Sequence, residues 1–275
     1  MSKALNHFKN VTFQLPNVEK MYSQLLGGID WPKNPFTVMD VGCGSGRVLL
    51  QILEPLLPPH YEEIVGIDIS EEMISVCKTL KTDPRISFVS MDIEQEVIPK
   101  KFHNRFNYIS SCFVLHYAKD LGKALFNCNQ LLKVNGEMVL IFLYGSNPLF
   151  EAYKQMSTIA EWKPYTKQFE NYVPEFISKD PLQELKMKFN ESGFEVLWSG
   201  LNHDPYESEV ENFLALFNAM DLIYHRIPED KKRKYEEDFS RIMADVLGLS
   251  AEKQDLNKNV MKYFPTIMVH AKKRS

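Results

Sequence analysis

Hydrophobic positions in the first half of the chain follow two alternating periods, one typical of helices and one of short buried strands. The segment "NVEKMYSQLL" places Val18, Met21, Tyr22 and Leu25 on one face of a predicted helix. Apolar runs of strand length follow, separated by helical patterns: "FTVMDVG", "EIVGIDIS", "RISFVSMDI", "RFNYISSCF" and "MVLIFLYG". Strands that alternate with helices predict a parallel, doubly wound sheet with right-handed crossovers.

Polar residues and prolines mark where two of these helices begin and end. Ser70 is predicted to cap "EEMISVCKTLK", because its oxygen and the acidic side chains that follow can satisfy free N–H groups. Pro58 and Pro59 are predicted to end the helix "SGRVLLQILEPLL", since proline cannot continue a helix.

The second half of the chain has a less regular pattern. Residues 149–192 are predicted to be mostly helical, and residues 206–258 to form a helical insert of mixed charge. "GFEVLWSGL" and "PTIMVHAKK" predict a sixth and a seventh strand. The expected fold is therefore α/β and Rossmann-like, with a seven-stranded, mostly parallel sheet, helices on both faces and a helical cover.

Composition narrows the class of protein. The 275 residues carry a net charge of −4, which argues against the basic surface of a nucleic-acid-binding protein. No apolar run is long enough for a membrane span, and the N-terminus lacks the apolar core of a secretory signal. Four scattered cysteines without metal-ligand spacing indicate free thiols and no metal site. We therefore expect a cytoplasmic protein; its oligomeric state stays open.

The stretch "VMDVGCGSGRVLLQIL", residues 38–53, joins a predicted strand to a helix and carries the first chemical signal. Glycines let the backbone turn tightly and let a ligand approach closely, and the N-terminus of a helix offers free N–H groups. The dinucleotide fingerprint is G-x-G-x-x-G, but here Gly42, Gly44 and Gly46 give G-x-G-x-G, and Arg47 fills the dinucleotide position. This spacing resembles class I methyltransferases that bind S-adenosylmethionine.

Acidic residues at successive strand ends strengthen the prediction of a cofactor site. Asp40 precedes the glycines, Asp68 ends the second strand, where an acid can accept both ribose hydroxyls, and Asp92 ends the third, near the expected adenine. The carboxyl ends of the strands are the usual ligand site of an open α/β sheet. The alternative is that Asp68 and Asp92 are helix caps or solvated turn residues. The predicted cofactor-binding residues are Asp40, Gly42, Gly44, Gly46, Asp68, Ile69, Asp92, Ile93 and Ser111.

The stretch "FNYISSCFVLHYAKDLGKAL", with "DISEEM" before it and "NPLFEAYK" after it, resembles the insect juvenile hormone acid O-methyltransferases. The resemblance runs from the N-terminal helix to "MVHAKK". It implies transfer of a methyl group from S-adenosylmethionine to the carboxylate of a long isoprenoid acid, a small lipophilic substrate. We expect one domain over residues 1–275: an N-terminal helical lid at 1–30, a cofactor-binding half at 36–145, and substrate-covering helices with the last two strands at 146–275.

The resemblance also implies residues near the methyl acceptor. Gln14 lies where the family has a glutamine of the substrate site, and His116 matches the family's histidine after strand four. Tyr117 replaces the family's tryptophan, and Phe106-Asn107 stands where the family has Phe-Asp. Gln14, His116 and Tyr117 are thus the predicted catalytic residues. Five aromatic residues are predicted either to line an apolar substrate pocket or to be plain core: Trp162, Phe169, Tyr172, Phe213 and Phe217.

The chemistry of the acceptor leaves three hypotheses. A carboxylate is ionised at neutral pH and needs hydrogen-bond donors to aim it, but no base. A phenol, with a pKa of about 10, needs a general base, and His116 with an ordinary pKa is the candidate. The change to Tyr117 leaves room for a phenol or another hydroxyl compound. The third hypothesis is a non-catalytic protein that binds the cofactor or a lipid.

Overall fold

This computed structural model describes residues 11–80, 82–172, 179–250 and 255–274. A seven-stranded sheet forms the centre of one compact unit, which comprises the described residues within 14–144, 179–203 and 265–274. The strands of the described chain are β1 Thr37–Val41, β2 Glu63–Asp68, β3 Ile86–Ser90, β4 Phe106–Cys112, β5 Leu132–Leu143, β6 Phe194–Asn202, β7 Pro205–Glu209, β8 Asn259–Tyr263 and β9 Thr266–Lys273. The sheet has the order β3-β2-β1-β4-β5-β9-β6.

Most of the sheet is parallel, as the alternation of strands and helices predicts. The strands from β3 to β5 pair in parallel, whereas β9 lies between β5 and β6 and is antiparallel to both. The chain reverses its winding direction between β1 and β4, so the carboxyl ends of these two strands flank the crevice where open α/β sheets bind ligands.

Helices cover both faces of this sheet. They are α1 Leu15–Leu26, α2 (Leu49–Leu53 and Glu54–Leu56), α3 Glu71–Cys77, α4 Leu121–Leu131 and α7 Pro181–Glu191. One buried cluster joins α4 and α7 to one face, and a second joins α1, α2 and α3 to the other. The predicted face of α1 is confirmed, since Val18, Met21, Tyr22 and Leu25 are all buried there. The segment Leu15–Leu26 packs into the core of the sheet unit. The lid expected over residues 1–30 stays a prediction, and residues 1–10 lie outside the described residues.

The helix after the glycine motif differs from a regular α-helix. Leu49–Leu53 forms a wider π turn, in which the N–H of Glu54 donates to the carbonyl of Leu49. Pro55 follows directly, and a proline lacks an N–H and crowds the carbonyl of the preceding turn, which a wider turn accommodates. Leu57 adopts an extended conformation, so the helix ends before Pro58 as predicted.

Residues 145–172, 204–250 and 255–264 belong to a second compact unit, together with residues 11–13. Its helices are α5 Pro148–Met156, α6 Lys163–Thr166, α8 Val210–Ala219 and α9 Lys232–Val246. The prediction of an entirely helical insert over residues 206–258 is wrong at its start, because β7 pairs antiparallel with β8 in a separate two-stranded sheet. Residues along β7 alternate between exposed and buried, as in a strand with one buried face. In the sequence, the mixed charges of this segment obscured that period-2 pattern.

Among the helices that the structure describes, each is too short or too polar to cross a bilayer.

Candidate active site

The glycine loop between β1 and α2 has a backbone that only glycine adopts without strain. Gly42, Gly44 and Gly46 have φ angles of +74°, +54° and +80°. The N–H groups of Gly42 and Cys43 donate to the carbonyl of Ile67 at 2.7 and 2.8 Å, which holds the loop over the end of β2. The loop is therefore fixed next to the carboxyl ends of β1 and β2.

Gly42 also allows close packing against the turn that follows β4. A Cβ atom at Gly42 would lie 2.2 Å from Cγ2 of Val114. A Cβ atom at Gly46 would lie 3.1 Å from Sγ of Cys77. Val114 already occupies the position of a Cβ atom at Gly42, so only glycine lets the loop pack this closely against the turn.

Asp68 both anchors this loop and begins the next helix. One carboxylate oxygen accepts from the N–H of Gly44 at 2.9 Å, and the other accepts from the N–H of Ser70 at 2.8 Å. Burial raises the pKa of Asp68. A carboxylate can accept about four hydrogen bonds, so Asp68 keeps acceptor capacity for ribose hydroxyls. Ser70 caps α3 as predicted, since its Oγ accepts from the N–H of Met73 at 3.3 Å.

The loop after β3 is held by side chains from other elements. Asp92 turns it by accepting from the N–H of Glu94 at 2.8 Å. The side-chain amide of Asn127, on α4, donates to the carbonyls of Ile93 at 2.7 Å and Gln95 at 3.0 Å. Nothing in the spacing of the sequence points to Asn127, because the contact joins residues more than thirty positions apart.

The carboxylate of Glu94 fastens the same loop to the start of α4. It accepts from the N–H groups of Lys119 and Asp120 at 3.1 and 2.8 Å. At the end of β2, the neighbouring strand, the side chain of Ile69 is 69% exposed, which leaves an apolar surface open to a ligand.

Asp40 is buried within the sheet face that α1 covers. It pairs in register with Ser110 of β4, and burial raises its pKa to about 7, opposed by a hydrogen bond from Ser110. The next residue of β4, Ser111, is also buried and donates to the carbonyl of Val41 at 2.9 Å. The structure therefore gathers all nine predicted cofactor residues along the carboxyl ends of β1 to β4; their contact with a cofactor stays a prediction.

The turn after β4 has a strained backbone. Phe113 has a φ of +56°, which is rare for an aromatic residue, and its N–H donates to the carbonyl of Ile141 at 2.6 Å. Such strain costs about 1–3 kcal/mol and occurs mainly at functional sites. The short 3-10 helix Leu115–Tyr117 follows at once, so this strained residue determines where His116 lies.

His116 is a neutral hydrogen-bond donor in this structure. Its Nδ1 accepts from the N–H of Leu143 at 3.4 Å, which assigns the ring proton to Nε2. Burial lowers the pKa of His116 to about 3. Its Nε2 is buried and has no hydrogen-bond partner among the described residues. A group with this pKa is a very weak base, which argues against His116 as a general base with an ordinary histidine pKa; its role in catalysis stays a prediction.

Two other predicted catalytic residues lie in the same unit. The ring of Tyr117 packs against His116 with centroids 4.1 Å apart. Gln14 directly precedes α1, is partly buried, and does not cap the helix with its side chain. The proposed contact of Gln14 and Tyr117 with a substrate stays a prediction.

The five aromatic residues predicted for a substrate pocket lie in the second unit, where each packs internally. The indole N–H of Trp162 donates to Asp238 at 2.9 Å, and the hydroxyl of Tyr172 accepts from the N–H of Asn147 at 3.1 Å. Phe169 packs against Tyr153 and Phe150, and Phe213 and Phe217 both pack against Phe264. These contacts agree with the core alternative, and a role in binding substrate remains a prediction.

In the parts of the chain that the structure describes, no three or more His, Cys, Asp or Glu side chains converge into a group that could hold a metal ion. The four cysteines are free.

Comparison with known proteins agrees with the glycine-loop geometry. A family model described as "Methyltransferase domain" matches residues 39–138, the segment from β1 to β5. A solved structure of a Bacillus halodurans protein assigned as a methyltransferase superposes with a TM-score of 0.57 over 94% of this chain and 100% of its own, at 15% identity. A Haemonchus contortus phosphoethanolamine N-methyltransferase, solved with S-adenosylhomocysteine, superposes with a TM-score of 0.52 over 94% of this chain and 53% of its own, at 15% identity. At these identities the structural matches define the fold.

Sequence relatives extend the comparison to nearly the whole chain. The juvenile hormone acid O-methyltransferase of Drosophila melanogaster is 28% identical over 86% of this chain and 80% of its own. That of Bombyx mori is 25% identical over 99% of this chain and 98% of its own. A ubiquinone biosynthesis O-methyltransferase of Coxiella burnetii is 29% identical over 66% of this chain and 76% of its own. The chain is therefore a Rossmann-like methyltransferase that is similar over most of its length to juvenile hormone acid O-methyltransferases.

Proposed function

We propose that this enzyme methylates the carboxylate of a small lipophilic acid of the isoprenoid type, such as juvenile hormone acid or farnesoic acid. The similarity to two juvenile hormone acid O-methyltransferases supports this substrate class. The observation that carries the proposal is the state of His116, whose buried Nε2–H is a hydrogen-bond donor on a ring that binds protons very weakly.

The glycine loop and the acidic strand ends fit the cofactor. The positive φ angles at Gly42, Gly44 and Gly46 let a ligand approach the backbone, and Asp68 has acceptor capacity for ribose hydroxyls. Asp92, Ile93 and the exposed Ile69 would border the adenine. When bound, S-adenosylmethionine supplies an activated methyl group on a sulfonium. Calorimetry should detect binding of S-adenosylmethionine and none of NAD, because the loop lacks the dinucleotide spacing.

The donor character of His116 suits a carboxylate acceptor. A carboxylate with a pKa of about 4 is ionised at neutral pH, so the enzyme has only to aim it and exclude water. The Nε2–H of His116 can donate to one carboxylate oxygen and leave the other to attack. Leu143 holds the ring by its N–H, and Tyr117 packs against its face.

A phenolic acceptor is the second candidate. It is favoured by Tyr117 in place of the family's tryptophan and by the similarity to a ubiquinone biosynthesis O-methyltransferase. At pH 7 a phenol with a pKa of about 10 is ionised to about one part in a thousand, a deficit of roughly 4 kcal/mol. His116 is too weak a base to remove that deficit, so the low pKa of its ring argues against this acceptor.

A methyl-transfer assay with labelled S-adenosylmethionine tests the proposal on farnesoic acid, a fatty acid and a simple phenol between pH 6 and 9. We expect the isoprenoid acid to be methylated at a nearly constant rate across this range, since both the acid and His116 keep their charge states. His116→Ala should chiefly raise KM, because it removes an aiming hydrogen bond rather than a base.

His116→Gln is the matched variant, since its amide keeps a donor. His116→Gln should therefore reverse part of the increase in KM that His116→Ala causes. A preference for the phenol, with a rate that rises about tenfold per pH unit as the phenol ionises, would contradict the carboxylate proposal.

A further inference from the structure

We propose that Tyr22 and Ser110 are positioning residues for the cofactor, because their linked hydroxyl groups hold the carboxylate of Asp40 as the anion that receives the positive charge of S-adenosylmethionine. This inference rests on the proposed cofactor binding. It adds residues that lie beneath the glycine loop rather than in it.

The geometry of the sheet brings these side chains together. Asp40 and Ser110 are directly paired residues of the adjacent parallel strands β1 and β4, so their side chains lie on the same face. That face is covered by α1, from which the hydroxyl of Tyr22 reaches Oγ of Ser110 at 2.6 Å. Tyr22, Ser110 and Asp40 are 0%, 1% and 4% exposed, so water does not compete for these hydrogen bonds.

The direction of the hydrogen bonds follows from the available protons. Ser110 faces Asp40 across the paired strands, and hydrogen bonding by its hydroxyl lowers the pKa of the Asp40 carboxyl. An ionised carboxylate only accepts, so the single hydroxyl proton of Ser110 is directed at Asp40. Tyr22 must then donate its own proton to Oγ of Ser110. Such a chain, in which each bond polarises the next, stabilises the anion at its end.

The surroundings of Asp40 make its ionisation sensitive to the hydrogen bonds from the Ser110 and Tyr22 hydroxyl groups. Burial raises its pKa to about 7, and the nearby charge of Asp68 raises it further, whereas Ser110 lowers it. The other titratable groups that face it are Tyr22, Cys43 and Cys112.

These three groups stay neutral around pH 7. Burial is the main cause that raises the pKa of Tyr22 and of Cys112 well above their ordinary values. A hydrogen bond with Cys77 is the main cause for Cys43. The negative charge at this strand end therefore comes from Asp40 and Asp68. A cationic ligand relieves both the desolvation and the repulsion of these carboxylates, so its binding is linked to the ionisation of Asp40.

Calorimetric titration with S-adenosylmethionine between pH 6 and 9 tests the inference. For the wild type we expect affinity to rise with pH, with a midpoint near 7. Ser110→Ala should move this midpoint upward by about one pH unit, since a hydrogen bond to a charged group is lost. The affinity should then fall about fivefold at pH 7 and recover by pH 9. Tyr22→Phe should give a smaller shift in the same direction.

Two controls separate this effect from others. Asp40→Asn reports any pH dependence that comes from the amine of the ligand or from other groups. Tyr61→Phe removes a different buried hydroxyl, which donates to Glu54 at 2.9 Å, and should leave the midpoint unchanged. An equal loss of affinity at every pH in Ser110→Ala and Tyr22→Phe would overturn the inference and make both residues merely structural.

A carbon-13 NMR titration of the Asp40 carboxyl group in the ligand-free protein provides a readout without the cofactor. Its midpoint should move upward in Ser110→Ala, and an unchanged midpoint would overturn the inference. Absence of S-adenosylmethionine binding to the wild type would instead contradict the proposed function, and the NMR result would still decide the role of Ser110 and Tyr22.

Discussion

At the scale of single residues, the candidate site depends on groups whose ordinary properties are changed by burial. Burial raises the pKa of Asp40 to about 7 and lowers that of His116 to about 3, so each favours its neutral form. Backbone conformation is equally specific: Phe113 and the three glycines of the loop all have positive φ angles. The buried ionisable groups and the positive φ of Phe113 each cost folding free energy that surrounding packing offsets, which is typical of functional sites, whereas the glycines adopt their conformations without strain.

The space around Gly42 gives the most direct test at this scale. Gly42→Ala should lower the free energy of unfolding by roughly 2–4 kcal/mol, because it adds a positive-φ strain of about 1 kcal/mol to an overlap with Val114. Chemical denaturation followed by circular dichroism measures this loss. Gly145→Ala is the matched control, since Gly145 has a φ of +71° but its Cβ would meet nothing within 4 Å. Equal losses in the two variants would contradict the role of Val114.

At the scale of elements, the carboxyl ends of the strands supply the loops, and α4 holds one of them in place. Asn127 is fully buried and satisfies two carbonyl groups of the loop that carries Asp92 and Ile93. Two residues further along the same helix, Asn129 donates to the carbonyl of Gly193 at 3.0 Å, far along the chain from that loop. Two asparagines on α4 thus fix two different segments, the loop after β3 and the turn before β6.

We expect Asn127→Ala to weaken binding of S-adenosylmethionine by about tenfold, because two buried carbonyl groups lose their donor and the adenine loop loosens. Asn129→Ala should lower stability without a comparable change in affinity. Calorimetry measures the affinities, and hydrogen exchange of residues 92–96 should become faster in Asn127→Ala alone. Similar affinities in both variants would refute this function of α4.

At the scale of the whole molecule, the buried groups Asp40 and His116 have opposite effects on how stability changes with pH. Folding raises the pKa of Asp40 from 3.8 to about 7, so its contribution to the free energy of unfolding falls as pH rises through that window. Folding lowers the pKa of His116 from 6.5 to about 3, so its contribution rises with pH between those values. Between pH 4 and 6.5 the folded protein holds about one proton more on Asp40 and about one fewer on His116 than the unfolded chain does. The contributions of these two groups to the pH dependence of the free energy of unfolding therefore cancel.

Single substitutions should reveal the two opposing pH dependences of the free energy of unfolding. Relative to the wild type, the free energy of unfolding of Asp40→Asn should rise by roughly 2–4 kcal/mol between pH 4 and 6.5, because the opposing contribution of Asp40 is removed. Relative to the wild type, the free energy of unfolding of His116→Gln should fall by a similar amount between pH 4 and 6.5, because the opposing contribution of His116 is removed. Urea denaturation at several pH values measures both. Parallel curves for the wild type and the two variants would show that neither group titrates abnormally.

The sequence by itself determined the parts of this protein that depend on local pattern. Alternating periods predicted the parallel strands and the helices between them, and the glycine spacing with Asp68 at a strand end located the candidate cofactor site. Ser70 as a cap and the buried face of α1 also followed from short-range rules, because their partners lie within a few residues or share one helix face.

Only the tertiary structure decided the features that join distant residues. The antiparallel place of β9 between β5 and β6, the choice of β8 as the partner of β7, and the hydrogen bonds from Asn127 to the loop after β3 all join residues far apart in the chain, so local patterns do not determine them. The same holds for the hydroxyl chain from Tyr22 to Asp40 and for the low pKa of His116. Desolvation and hydrogen bonding depend on which residues surround a group in space, and residue type alone does not contain that information.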